Sequence, residues 1–319
     1  MTSTLIRRTF AAFACTASLV AHAQDFPVRA ITLVVPYPPG SATDNIARPL
    51  AQALGSILGQ TVVIDNKAGA QGMVGGDFVA RAKPDGYTLL ASSSATFVGD
   101  ALMKSIPHDP VKAFQPVSGI GATSFMLLVR TDSPLQTIAD LVNASKLSNT
   151  PMPVGYGSAT GQLLLGVLSS TAGAQVTQVS YRGVPQVITD LIGGQVPAGV
   201  VDIGNGVAQI KGGRVRALVQ TGRARSAAAP TVPTLAETYP GTTLESIISV
   251  VAPAGTPRAV VDRLDRALRA ALDKPELKAA WGAITTEVLP MTTAEVTKQI
   301  NTDVVKWKQL IKAAGIEPQ

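Results

Sequence analysis

Thiol chemistry is nearly absent from this 319-residue chain, whose single cysteine, Cys15, lies within the first two dozen residues. A disulfide framework and a thiolate metal centre are thereby excluded. Histidine is almost as scarce: His22 lies in the same leading segment and leaves His108 alone, so a multi-histidine zinc site is excluded as well. A Ser-His-Asp triad would have to recruit His108, whose setting, Pro107-His108-Asp109-Pro110, reads as a solvated surface turn. Aromatic residues make up 4% of the chain, which argues against a sugar site built on stacked rings. Past the leading segment no stretch of eighteen uninterrupted apolar residues occurs, so no transmembrane helix is expected. Strong charge is missing too. The formal net charge is +6, and Arg7 and Arg8 account for two of it, leaving 6 − 2 = +4 for the rest. Without a long basic block or an aromatic-interleaved basic stripe, no nucleic-acid partner is expected. A mildly basic surface draws small anions weakly.

What is present begins with an address. Arg7-Arg8, the apolar run Thr9 to Val20 and the small-x-small site Ala21-His22-Ala23 follow the order of a secretory signal peptide, residues 1–23. Ala12-Phe13-Ala14 before Cys15 fits a lipoprotein signal poorly. The mature protein then begins near Gln24 and is expected in the periplasm. With 46% hydrophobic residues it can bury one large core or two medium ones, and its length favours two domains.

The stretch Val34 to Asn45 organises the remainder. The apolar run Ile31 to Val35 reads as a buried strand, and three prolines and Gly40 stop it. Ile46, Leu50, Ala53, Leu54 and Ile57 then recur at helical spacing, with Ser41, Thr43 or Asp44 suited to cap that helix. A strand, a tight turn of small residues and a helix start place backbone N–H groups at the positive end of a helix, a ready anion site. The turn carries no basic or catalytic side chain, so its backbone would do the binding.

Further strands are predicted at Thr61–Asn66, Tyr87–Ala91, Met126–Val129, Pro153–Tyr156, Val176–Ser180, Ala198–Asp202 and Ile247–Ala252, and Val215 to Gln220 closes the middle region. Helices are predicted at 73–82, from Ile138, 163–172, 188–192, 260–272, 276–281 and 294–313. Trp281 and Trp307 fall in amphipathic helices and read as packing residues. Strands alternating with helices imply parallel pairing with right-handed crossovers, and ligands in such sheets sit beyond the carboxyl ends of the strands. The Pro39–Asp44 turn and the hydroxyl-rich Ser92–Thr96 loop share that edge and should converge. Gly157-Ser158-Ala159-Thr160-Gly161 repeats the opening architecture further along the chain.

The chain resembles a known family along its whole mature length. The residues that carry the resemblance are Leu33 to Asp44, Asn66 to Gly72 and Pro84 to Leu89, followed by Tyr181-Arg182-Gly183, Asp190 to Val196, Pro230 to Thr234 and Ala252 to Pro257. They are similar, in order, to segments of the tripartite tricarboxylate transporter receptors, the Bug-type periplasmic solute-binding proteins. The resemblance implies an α/β, two-lobed, type II Venus-flytrap fold with a ligand cleft between lobes. Lobe 1 would hold residues 24–123 and 246–319, and lobe 2 residues 124–245. It implies a small carboxylate ligand, a di- or tricarboxylate or related organic acid, gripped through the turns and partly through ordered water. Delivery to membrane subunits of a tripartite tricarboxylate-type transporter is implied as well. Ligand-binding roles carry over onto Pro39, Gly40, Ser41, Ala42 and Asp44, onto Ser92 and Thr96, and onto Ser158, Thr160, Gly161 and Asp202. No catalytic residue, metal or cofactor is expected, and the protein is expected to be a monomer. Ser41 stands where a second glycine is common and Arg182 where a lysine is usual.

Several residues keep two readings. Asp44 and Asp202 either hold turn amides or meet the ligand, and acids repel carboxylates. Ser92 and Thr96 serve as helix caps or as contacts. Arg182 is a carboxylate clamp or a solvated surface cation. One helix N-terminus contributes about 0.3–2 kcal/mol and a charge-assisted hydrogen bond about 1.5–3. Micromolar affinity needs about 8 kcal/mol, so two facing turns are required. A receptor feeding a signalling partner is an alternative to transport. An α/β enzyme is another: Gly155, Gly157 and Gly161 form a dinucleotide-like G-x-G-x-x-x-G, although Ala174 to Ser180 lacks the acid that ribose recognition uses.

Overall fold

The computed structural model describes residues 26–318, so the signal peptide expected at residues 1–23 lies outside the described residues. β1 (Ile31–Val35) is buried and ends at Pro36, and α1 (Ala42–Leu58) follows the turn. Ser41 has extended backbone angles, and its hydroxyl accepts the Asp44 N–H, which makes it the cap of α1. Gly59, left-handed at φ +68°, ends that helix. β2 (Val62–Asn66), α2 (Met73–Ala80), β3 (Thr88–Ser93), α3 (Gly99–Leu102) and β4 (Phe114–Thr123) follow.

After Ser124 the chain enters a second sheet. It runs through β5 (Phe125–Arg130), α4 (Ile138–Leu147), β6 (Met152–Tyr156), α5 (Ala159–Ala172), β7 (Val176–Ser180), α6 (Val184–Ile192), β8 (Ala198–Asp202), α7 (Ile203–Lys211), β9 (Val215–Gln220) and α8 (Leu235–Thr238). It returns to the first sheet through β10 (Ser246–Pro253), α9 (Arg258–Leu272), α10 (Pro275–Ala283) and β11 (Glu287–Met291), and it closes with α11 (Thr293–Ala313). The strand orders are β11-β4-β10-β3-β1-β2 and β7-β6-β8-β5-β9. β1, β2 and β3 pair in parallel, as do β6, β7 and β8, while β4, β10 and β11, and β5 and β9, run antiparallel. The parallel pairing expected for the strand–helix repeats is present, within sheets that are mixed.

β4 and β11 were not legible from the sequence. Gly119 and Gly121 interrupt the apolar pattern of β4, and here they serve close approach. A Cβ on Gly121 would sit 2.7 Å from the Glu287 carbonyl of β11, and one on Gly119 would sit 2.8 Å from Met291 Cβ.

The two crossings between sheets are tied together at Thr221. Its N–H donates to Phe125 O (2.9 Å) and its hydroxyl to Leu244 O (2.6 Å), while it accepts the N–H groups of Phe125 and Leu244 (both 2.9 Å). α11 spans both layers. Val296 and Ile300 pack with Val34, Leu90 and Phe114, and Trp307 and Ile311 pack with Leu163, Leu164 and Leu168 of α5. Trp281 is fully buried, and its indole N–H donates to Ile46 O at 3.1 Å. Both tryptophans therefore pack, as expected.

Candidate functional site

Four helices begin at one cavity between the two sheets. The cavity has a volume of about 30 Å³ and is lined by Ser41, Ala42 and Thr43 at the start of α1 and by Ser158 and Thr160 at the start of α5. Val184, first residue of α6, and Asp202, cap of α7, complete the set. Gly157 before α5 also lines it. The first turn of a helix leaves amides without intrahelical acceptors, so α1 and α5 present donors from opposite walls. The Asp44 and Gly161 amides are already taken by the caps Ser41 (3.4 Å) and Ser158 (3.2 Å). Lysine and arginine are absent from the cavity lining. The helix starts aim the positive ends of their peptide dipoles there, beside the Asp202 carboxyl.

The α1 turn is preorganised by Asp44, which is 1% exposed. Its carboxylate accepts the Gly40 N–H (2.9 Å), Arg48 Nε (2.9 Å) and Nη2 (2.8 Å), and Asn66 Nδ2 (2.9 Å). Burial taken alone pushes its pKa up, yet the bonds from Arg48, Gly40 and Asn66 together hold it below the usual carboxylate range. Asp44 is thus an anchor of the turn and lines neither cavity. Asp202 accepts from Asn205 N (3.0 Å) and Nδ2 (2.8 Å), and burial pushes its pKa up against those bonds.

A second cavity adjoins the first, sharing Tyr37, Gly157 and Ser158 with it, and has a volume of about 250 Å³. Gln71, Met103, Tyr156, Tyr181 and Arg182 are among its walls. Tyr181 donates to Asp190 at 2.8 Å, and burial followed by that bond pushes its phenol up to about 12. This fixes the loop that presents Arg182. Across the cleft Gln71 Nε2 donates to Gln162 Oε1 (2.8 Å), and Asn205 Nδ2 donates to Gly40 O (3.1 Å).

The structure brings Ser41, Ala42, Ser158, Thr160 and Asp202 to the first cavity and Arg182 to the second. Pro39 is exposed and lines neither, and Gly40, at φ +82°, spends its N–H on Asp44 and its carbonyl on Asn45 and Asn205. Ser92 points into the sheet, sharing a 2.8 Å hydroxyl pair with Ser249. Thr96 accepts the Ser93 N–H at 3.1 Å in a capping box. Ser93 lines the cavity in their stead, since residues alternate faces along β3. Tyr37, Gln71, Gln162 and Asn205 were also missed. Their signal was weak, because polar residues in turns and helix starts look alike until the fold pairs them. Gly155, Gly157 and Gly161 are explained by packing: a Cβ on Gly157 would lie 2.3 Å from Gly183 C, and one on Gly155 3.1 Å from Tyr181.

Ser158→Ala removes the acceptor of the Gly161 N–H and an element of the first cavity's wall. It is expected to lower the unfolding free energy by about 1 kcal/mol, measured by urea denaturation. A change within error would mean that Ser158 does not cap α5.

The architecture is shared with solved binding proteins. The periplasmic binding protein BugD superposes with a TM-score of 0.87 at 31% identity, covering 92% of this chain and all of that one. The R. palustris protein Rpa4515, solved with adipate, gives a TM-score of 0.87 at 28% identity, over 92% of this chain and 100% of its own. MatC from Rhodopseudomonas palustris, solved with bound malate, gives 0.84 at 27% identity, over 90% and 100%. A mixed α/β fold of two sheets with helix N-termini converging between them thus defines a binding protein of the periplasmic class, not an enzyme. The chain matches the tripartite tricarboxylate transporter family receptor over residues 46–316 and belongs to that family.

Proposed function

We propose that this receptor captures a small carboxylate in the cleft between two lobes and delivers it to a tripartite tricarboxylate-type membrane transporter. The observation that carries this reading is the meeting of the α1 and α5 N-termini in one cavity that has no cation of its own. Such a site favours an anion small enough to be reached by main-chain amides from both walls. The adipate and malate named with the two relatives agree with a carboxylate. Arg182, in the adjoining cavity, would meet a second negative group, and water would complete the contacts at Thr160 and Asp202.

The lobes are residues 24–123 with 246–319, and residues 124–245, hinged where β4 passes into β5 and where the chain enters β10. Residues 1–23 are read as a cleaved signal peptide directing the protein to the periplasm, where it acts as a monomer. A thermal-shift panel of mono-, di- and tricarboxylates, followed by calorimetry and small-angle scattering, tests the reading. At least one acid is expected to bind and to compact the protein. Failure of every organic acid to bind would sink it, and binding without compaction would sink the closure.

A further inference from the structure

Two buried acids flank the first cavity, and only one of them has a cation. Asp44 is held by Arg48 and does not line the space. Asp202 does line it and is 2% exposed. Its side-chain oxygens are held from the start of α7, Oδ1 by Asn205 N at 3.0 Å and Oδ2 by Asn205 Nδ2 at 2.8 Å, and neither donor is charged. Tyr37, the other titratable group in the lining, stays a neutral phenol, since burial pushes its pKa further up. Arg182 lines the second cavity and not this one. Past Ile203 lie Arg223, Arg225, Glu245 and Glu287, around a separate hollow that Ile247 faces, whereas Ser246 and Ile248 face the first cavity. Arg223 is paired there with Glu245 at 2.9 Å, and Arg225 with Glu237. At about 30 Å³ the first cavity has room for about one carboxylate group. An acid gripped by the amides of α1 and α5 therefore brings its charge beside that of Asp202 with no cation between them. Two carboxylates so placed hold one proton in common.

We propose that Asp202 is the proton-binding site of the loaded receptor, so that a carboxylate and one proton enter the cleft together. The proton comes from solvent and settles on Oδ2. Oδ1 goes on accepting the Asn205 N–H at the cap of α7, and Asn205 Nδ2 goes on donating to Gly40 O at 3.1 Å. The new hydroxyl donates to the ligand's carboxylate, directly or through the water between them, and a repulsion becomes a hydrogen bond. The inference rests on the carboxylate reading of the site and goes one step past it, to what must be taken up with the anion. Its sign with pH is defined. Burial already pushes the Asp202 carboxyl up in the empty protein, and a second negative charge pushes it further in the same direction. The loaded protein thus holds the proton more tightly than the empty one. Affinity is greatest at low pH and falls as pH rises from the empty protein's pKa to the loaded protein's.

Calorimetry with adipate, malate and the tightest acid of the carboxylate panel tests this between about pH 6.5 and 8.5, where ordinary carboxylic acids are ionised. Titrations in buffers of different ionisation heat count the protons taken up. The parent protein is expected to take up about one proton per ligand at the lower end and to lose affinity by up to about tenfold per pH unit. Asp202→Asn keeps an acceptor for the Asn205 N–H and has no charge. It should take up no proton, bind independently of pH and, at the upper end, bind roughly tenfold tighter than the parent. Asp202→Ser keeps a cap of the kind that α1 and α5 use, and it gives a second proton count should the asparagine variant fold poorly. Binding to the parent without proton uptake, or uptake that survives in both variants, overturns the assignment and leaves the carboxylate reading standing. Binding of no acid at all overturns both.

Discussion

Asp44→Ala is expected to lower the unfolding free energy at pH 7 by about 2–4 kcal/mol and to weaken carboxylate binding with it. The substitution leaves the Gly40 N–H unmatched and takes away one of the two acceptors of Asn66 Nδ2, each donor 2.9 Å from a carboxylate that is 1% exposed. Each donor left unmatched in such a place costs about 1–3 kcal/mol. The Arg48 pair contributes less, because its guanidinium is 52% exposed and rehydrates when freed. The effect on binding follows from geometry. Asn66 Nδ2 also holds Tyr37 O (3.0 Å), so losing Asp44 loosens both the α1 turn and a residue common to the two cavities. The sign with pH is defined. The folded-state pKa of Asp44 is depressed, so its stabilisation is present above the unfolded value of about 3.9 and is lost as pH falls through the folded value. Denaturation curves of the parent and Asp44→Ala should therefore stand far apart at pH 7 and draw together below about pH 4. A gap of the same size across that range would remove the carboxylate from the explanation.

Gly183→Ala should leave the unliganded protein about as stable and lower ligand affinity by roughly 5- to 150-fold. Gly183 is extended, at φ 179°, so alanine meets no backbone penalty there. A Cβ, however, would lie 2.7 and 2.9 Å from Cγ and Cδ of Pro38, a ring that cannot swing aside. Pro38 belongs to the α1 turn and Gly183 to the start of α6, so the clash exists only where the two layers meet. Overpacking of this size costs about 1–3 kcal/mol, and under the proposed closure it falls on the closed form. Calorimetry with the best acid measures the affinity, and thermal melting without ligand measures the stability. A large drop in melting temperature with affinity intact would show that the contact serves the fold and not closure.

Most of the element pattern could be read in the chain, and for a local reason. Ile31–Val35 followed by prolines, and Val176–Ser180 between turn residues, declare strands through their own composition. The caps Ser41, Ser158 and Asp202 stand where a strand ends and a helix begins, a signal contained in a few consecutive residues. β4 was hidden because its glycines answer to β11, about 170 residues away. The roles of Ser92 and Ser93 differ by one residue of strand alternation, which no reading of a hydroxyl-rich stretch resolves.

By itself the sequence determined the turns, the helix starts facing them, the absence of thiol or multi-histidine chemistry, and the family, since all of these are written in short runs or in residue counts. Only the tertiary structure decided that Asp44 braces the turn without lining either cavity, that Ser93 replaces Ser92, and that Gln71 and Gln162, 91 residues apart, meet across the cleft. The reason is range. Caps and strands are set by neighbours along the chain, whereas a cleft is set by which distant surfaces are brought within 3 Å of each other.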